Sequence, residues 1–401
     1  MLSVSEAAAI IVENAHVLPA EQVALHHAVG SVLYESIIAP TDVPPFHQSA
    51  MDGYAFRFAD WHTPQTPLTI VGTAPAGTAQ RPILPAGAAV RIFTGAPLPA
   101  GADTVVMQEK VQLIPAINQL LITDTQLKPA ANVRPQGSQI AQYALALPKG
   151  LLLNAGAIGY LAMLGIDKAL IIPPPRITLL VTGNELAQPG TPLPPGHVYE
   201  CNSFALQAAL ATMRLPLHTQ RAPDDLAQTI SLISTCAIQS DLLLITGGVS
   251  VGDYDFVPQA LKACGANLLF HKVKQKPGKP MLAATLGKTL IIGLPGNPAS
   301  VYTCFHRYVL PAIQHMMGQP LPPTQANLYR LAENYPKKTG LTVLLKGKLL
   351  PNNEVLPLPN QLSYLMDSFA YADCLIELEE NKADYVKGEP VQVWKIKNPD
   401  V

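Results

Sequence analysis

Two ammonium groups three residues apart dominate the chemistry available to this chain. Lys276 and Lys279 sit in the string Lys276-Pro277-Gly278-Lys279-Pro280. Prolines stiffen such a turn and reduce the entropy lost on ordering it, which suits fixed cationic donors to an anion. The same string would serve as a solvated surface loop. Upstream lies Thr246-Gly247-Gly248-Val249-Ser250-Val251-Gly252. It lacks the Gly-Lys-Ser/Thr ending of a P-loop and the GxGxxG spacing of a dinucleotide site. Its glycine amides and one hydroxyl can still cradle phosphate oxygens, which marks Gly247, Gly248, Ser250 and Gly252 as candidates. Asp253 and Asp255 follow. Carboxylates beside an anion loop often hold a metal ion, and either would equally cap a helix beginning near Phe256. Leu294-Pro295-Gly296-Asn297-Pro298 closes a second apolar run. It reads as a helix start, with Asn297 as N-cap and Pro298 at the first helical position, or as an anion site at a helix dipole.

These groups need strand ends to hold them. Leu242–Ile245 and Leu290–Leu294 are apolar runs with glycine at or beyond their ends, as expected of buried strands. From residue 176 onward strands and helices alternate. Strands are expected at Ile177–Val181, Leu215–Thr219 and Leu242–Ile245. Helices are expected from Asn202 or Ser203 to about Met213, from Asp224 or Asp225 to about Ile238, over Phe256–Cys264, and from Asn297 to near Gly318. Such alternation implies a doubly wound, mostly parallel sheet. Before it, Ser3 and Glu6 frame a capped first helix, and glycine- and proline-broken β-like runs fill Leu68–Thr123. Asn154 caps a helix ended by Gly165, and Pro173-Pro174-Pro175 is the clearest linker. Beyond Pro323 only β-like runs remain, with Asn352-Asn353 as a hairpin turn, so a small β-barrel or sandwich is expected. The expected division is 1–174, an N-terminal linker region with an inserted β-rich subdomain at about 53–140, then a central α/β domain at 175–321 and a C-terminal β domain at 322–401.

Composition limits the function classes. Charged residues are 14% of the chain and net charge is −1, so no global field draws in nucleic acid or an acidic membrane. Any anion site must be local. No apolar run approaches about 18 residues, so no membrane span is expected. The N-terminus carries acids and no basic stretch, so no signal peptide is expected. Five scattered cysteines without CxxC spacing suit free thiols in a reducing cytoplasm. The ten histidines show no metal-ligand spacing.

Seven strings then resemble one family in order: Ser49–Ala55 (SAMDGYA), Arg91–Gly101 (RIFTGAPLPAG), Val105–Glu109 (VVMQE), Thr182–Leu186 (TGNEL), Thr246–Phe256 (TGGVSVGDYDF), Lys276–Pro280 (KPGKP) and Gly293–Ser300 (GLPGNPAS). They resemble the molybdopterin molybdenumtransferases, the MoeA family, with the gephyrin E-domain as eukaryotic relative. The resemblance implies a central MoaB/Mog-like molybdopterin-binding domain and a C-terminal β-barrel. It implies insertion of molybdate into adenylylated molybdopterin, with Mg²⁺ assistance and release of AMP. In that frame Lys276 and Lys279 hold molybdate, and Asp255 with Glu185 holds the metal. Ser250, the glycine amides and the Pro295–Pro298 turn hold the pterin or its phosphate. Asp52 and Thr94 serve the site of the other subunit of a homodimer, Arg134 supplies a cation, and Ser363 is a supporting group from the C-terminal domain. A molybdopterin adenylyltransferase and molybdoenzyme maturation proteins are the implied partners.

The chain departs from the family pattern. Arg-Gly-Glu-Asp is usual where Asn132–Gln139 stands, so Arg134 retains a cation but Gln139 is neutral. Asn184 replaces an acid beside Glu185, and Glu200-Cys201-Asn202 stands for Asp-Ser-Asn. A pterin-binding scaffold or trafficking protein with little turnover is the second reading, and a mononucleotide hydrolase on the same central fold is the third. Retention of Asp255, Lys276 and Lys279 favours the enzyme.

Overall fold

The computed structural model describes residues 1–78, 83–250, 255–319 and 328–396. Gly252 and Asp253 lie outside them. The chain forms two compact units. One joins Met1–Tyr34 and Gly150–Asn154 to everything from Ala169 onward, and the other comprises Glu35–Lys149 and Ala155–Lys168. The Pro173–Pro175 stretch, expected to be a linker, lies within the first unit.

That unit opens with helix α1 (Val4–Asn14). The capping box forms as expected: Ser3 Oγ accepts from the Glu6 amide at 3.3 Å, and Glu6 Oε2 accepts from the Ser3 amide at 2.8 Å.

The second unit carries a mixed sheet of β1 (Gly53–Phe56), β2 (Leu68–Ala74), β3 (Ala88–Ile92), β4 (Thr104–Met107), β5 (Val111–Ile114) and β6 (Gln119–Ile122). Its order is β4-β1-β3-β2-β6-β5, with only β2 and β3 parallel. The antiparallel register pairs Gly53 with Ile92. Residues just before β1 and just after β3 therefore meet. Helix α2 (Ala155–Met163) follows, with Gly165 in the left-handed region at φ +78°.

Back in the first unit, the central sheet runs β7 (Ile177–Thr182), β8 (Leu217–Ala222), β9 (Leu242–Thr246), β10 (Asn267–His271), then the two-residue β11 (Gln275–Lys276), β12 (Leu282–Leu286) and β13 (Thr289–Leu294). The order is β8-β7-β9-β13-β12-β10, with β11 outside it. The first four strands are parallel and the last two pairings antiparallel. Successive side chains of a strand point to opposite faces, and both faces are apolar here. Leu179, Leu242, Leu244 and Ile292 pack with α1, α3 (Asn202–Ala211), α6 (Pro298–Cys304) and α7 (Leu310–Met316). Leu180, Leu243, Ile245 and Ile291 pack with α4 (Leu226–Gln239) and α5 (Val257–Ala263). This is the expected doubly wound layering.

One expected helix cap is corrected. Asn202 and Ser203 do not cap α3: Glu200, 2% exposed, accepts the Ser203 amide at 2.8 Å and also the Ser203 hydroxyl. The carboxylate reaches one position further than a short Asn or Ser side chain at the boundary. Asn297 is the N-cap residue of α6 and Pro298 its first helical residue, as expected, although the Asn297 side chain makes no cap bond. The helical run expected from there continues to Met316, with a π turn over Phe305–Val309 between α6 and α7. Asp225 does cap α4, accepting from the Gln228 amide at 2.8 Å.

The C-terminal strands β14 (Leu328–Leu331), β15 (Thr342–Leu350), β16 (Glu354–Pro357), β17 (Cys374–Leu378) and β18 (Pro390–Lys395) close into a barrel, because β15 pairs with both β16 and β17. Asn352 and Asn353 turn the β15–β16 hairpin at φ +63° and +58°, which asparagine tolerates well. Strand β11 adds to β15, pairing Gln275 with Thr342. The π turn joins the barrel through Arg307, whose Nε donates to Glu377 Oε2 at 2.9 Å and whose guanidinium lies 4.0 Å from the Trp394 ring centre.

Candidate functional site

Parallel strands leave their carboxyl ends along one edge, and open α/β sheets bind ligands there. The register pairs Thr246 of β9 with Leu294 of β13. The Gly247-Gly248 loop and the Pro295-Gly296-Asn297 turn therefore begin side by side. The Gly247 amide donates to the Leu294 carbonyl at 3.3 Å. Gly247 has φ +82°, and a Cβ there would lie 2.8 Å from Thr182 Oγ1. Only glycine fits, and its amide is used within the protein, so its contribution is shape. His271 Nε2 lies 2.8 Å from the Val249 carbonyl and pins the loop just before Ser250.

A cleft of about 490 Å³ lies at this edge. Its lining includes Ser250, Lys276, Lys279, Pro295, Gly296, Asn297 and Ser363, all expected from the sequence, together with Gln275 and Gln361. Both lysines are exposed, and neither pairs with a described carboxylate. Gln361 holds the C-terminal segment in place by donating to the Lys346 carbonyl at 2.9 Å and the Leu358 carbonyl at 2.6 Å. Asn297 Nδ2 donates to Ser363 Oγ at 3.0 Å. The central and C-terminal residues are thus joined directly at the cleft.

Other expected residues stand outside that lining. Gly248 backs onto Val257, and Pro298 begins α6. Glu185 is exposed just beyond β7, and Asp255 is half-buried ahead of α5. Strands β7 and β9 are parallel neighbours, so both carboxylates follow strand ends on the same edge. Among the described residues no group of three or more His, Cys, Asp or Glu side chains converges. Asn202 is expected as a helix cap. Its Nδ2 instead supports the Gly296 carbonyl at 3.0 Å, while its buried Oδ1 and the buried Thr246 Oγ1 have no partner among the described residues. Gln275 and Gln361 were also missed. Their only signals are that Gln275 directly precedes Lys276 and that Gln361 stands two residues before Ser363.

The second unit holds the remaining candidates. The β1–β3 register brings Asp52 against Thr94: the Thr94 amide and hydroxyl donate to Asp52 Oδ1 at 2.7 and 2.8 Å. The Thr94 amide first, and then its hydroxyl, hold the Asp52 carboxyl below the usual range. Arg134 and Gln139 line a separate cleft of about 600 Å³ with Asp42 and Gln48. Asp42 is likewise held low, chiefly by the Gln142 amide and then by Gln136.

The sequence matches three family models: the MoeA N-terminal region over residues 2–165, a probable molybdopterin binding domain over 178–315, and the MoeA C-terminal region over 329–396. It is 32% identical to molybdopterin molybdenumtransferase 2 of Mycobacterium tuberculosis, over 99% of this chain and all of that one. It is 33% identical to the molybdopterin molybdenumtransferase of Haemophilus influenzae, over 93% of each. Among solved structures, the molybdopterin biosynthesis MoeA protein of Pyrococcus horikosii superposes with a TM-score of 0.83 at 27% identity, covering 99% of this chain and all of that one. Three matched segments in order, near-complete coverage and a central α/β sheet joined to a closed barrel place this chain in the MoeA family of molybdopterin molybdenumtransferases.

Proposed function

We propose that this chain inserts molybdate into adenylylated molybdopterin with Mg²⁺-assisted release of AMP. The observation that carries the reading is the cleft at the carboxyl edge, lined by two lysines that have no carboxylate partner among the described residues, together with Ser250 and the Pro295–Asn297 turn. Molybdate is a tetrahedral dianion. Lys276 and Lys279 bind it as point charges and offset the charge that develops during transfer. Ser250, Asn297 and Ser363 orient the pterin substrate by hydrogen bonds. The carboxylates Asp255 and Glu185 are oxygen donors of the kind Mg²⁺ takes while keeping several waters, and both follow ends of neighbouring parallel strands. Asp255 and Glu185 would hold such an ion, which would supply polarisation of the adenylate phosphoryl group.

The working form is a cytoplasmic homodimer in which Asp52, Thr94 and Arg134 of one subunit serve the cleft of the other. The Asp52–Thr94 clasp supports a preset role for that pair, since the carboxylate is already ionised and oriented. Purified protein incubated with adenylylated molybdopterin, Mg²⁺ and molybdate tests the reading. AMP release that depends on molybdate is the expected result. Tight molybdopterin binding without AMP release at any Mg²⁺ concentration would replace the enzyme with a scaffold.

A further inference from the structure

The Lys276–Lys279 turn is held from below by Gln275, which also lines the cleft, and by side chains of the helix layer behind it. Gln275 is fully buried, as are Cys304 on α6 and Tyr308 on the π turn. Tyr308 Oη donates to Gln275 Oε1, and Gln275 Nε2 donates to Cys304 Sγ at 3.4 Å. Burial raises the Tyr308 phenol well above its ordinary value, so it stays a donor. Gly278 closes down on the same group: a Cβ there would lie 2.6 Å from Gln275 Nε2, and its φ is +88°. The backbone on either side is also tied, because β11 pairs with β15 and the Val273 amide donates to the Lys279 carbonyl at 3.0 Å. Gln275 therefore sits with its main chain on the barrel and its side chain in the helix layer.

We propose that Tyr308, acting through the Gln275 amide, is a positioning residue that sets the Lys276 and Lys279 ammonium groups for the anionic substrate. This rests on the proposed molybdate reading of the cleft. A buried amide with both ends engaged has one low-energy orientation, and the residue after it is the first lysine. Loss of the phenol hydroxyl leaves Gln275 Oε1 buried without its donor. The amide then turns, and the lysine spacing relaxes with it.

Three proteins test this: wild type, Tyr308→Phe, and the double variant Gln275→Met/Tyr308→Phe. The double variant removes both partners at similar volume, so its thermal stability should recover relative to the single variant. Tyr308→Phe should raise the KM for molybdate about tenfold while pterin affinity holds, because a small misplacement of a charge donor weakens its anion selectively. The double variant should keep the raised KM despite its regained stability. Hydrogen exchange at the Val273 and Met281 amides, which bond the Lys279 and Gly278 carbonyls, should quicken in both variants. A molybdate KM that stays at the wild-type value, or returns to it as stability returns, overturns the proposal. If wild type releases no AMP, the molybdate reading itself fails, and exchange at those two amides decides: quickening confined to them upholds the positioning role, and wild-type exchange removes it.

Discussion

At the scale of single residues, charge decides which parts of the site are robust. Lys276 and Lys279 have no carboxylate partner among the described residues, so their charge is available to an anion. Gln139 is the converse case. It lines the second unit's cleft as a neutral amide, where the family resemblance implies an acid. An amide oxygen coordinates a divalent cation more weakly than a carboxylate does. Gln139→Asp should therefore lower the Mg²⁺ concentration for half-maximal AMP release by several-fold without abolishing turnover. A Mg²⁺ titration of both proteins reads this directly. An unchanged requirement would put residue 139 outside the metal's reach.

At the scale of elements, the π turn is the joint between the helix layer and the barrel. It carries Tyr308 beneath the lysine turn, Arg307 against Glu377, and His306. His306 is 8% exposed, with neither ring nitrogen partnered among the described residues, and burial pushes its imidazole down to about 4. The sign follows from linkage. Below about pH 6.5 the unfolded chain takes up a proton that the folded chain refuses, so stability falls as pH drops towards 4 and is unaffected by this group above 6.5. The effect should reach about 2 kcal/mol between pH 7 and pH 5. Urea unfolding of wild type and His306→Leu over that range should show a loss in wild type that the variant lacks. Parallel pH profiles would contradict the assignment. The sequence reveals such elements unevenly. Strands β7, β9 and β13 are plain because both of their faces are apolar. The Ser3 and Asp225 caps are plain because each partner lies three residues away. The π turn is hidden, since one long helix satisfies the same pattern. Asn297 takes the expected N-cap position, but its side chain bonds Ser363, 66 residues on, a contact that no local window contains. Gln275 looks like an ordinary polar residue until the barrel and helix layer cover it.

At the scale of the whole molecule, the candidate residues are divided between two compact units. The lysines, Ser250 and Ser363 belong to one, and Asp52, Thr94 and Arg134 to the other. Motif order along the chain discloses the membership of both sets but not the subunit each one serves. If the sites are shared across a homodimer, mixing inactive Asp52→Ala with inactive Asp255→Ala protein should restore activity, up to about one quarter of wild type at equal mixing, since a hybrid dimer keeps one intact site. No recovery after confirmed subunit exchange would place both residues in the same subunit's site.

The central claim is that the lysine-lined cleft receives molybdate and that AMP leaves as a consequence. The most direct measurement is the rate of AMP release from adenylylated molybdopterin against molybdate concentration, for wild type and Lys279→Ala side by side at fixed Mg²⁺. The account predicts a saturable molybdate dependence in wild type, and a loss of roughly 10²-fold or more in the variant at limiting molybdate, with the fold intact. Equal rates in the two proteins at limiting molybdate would contradict it.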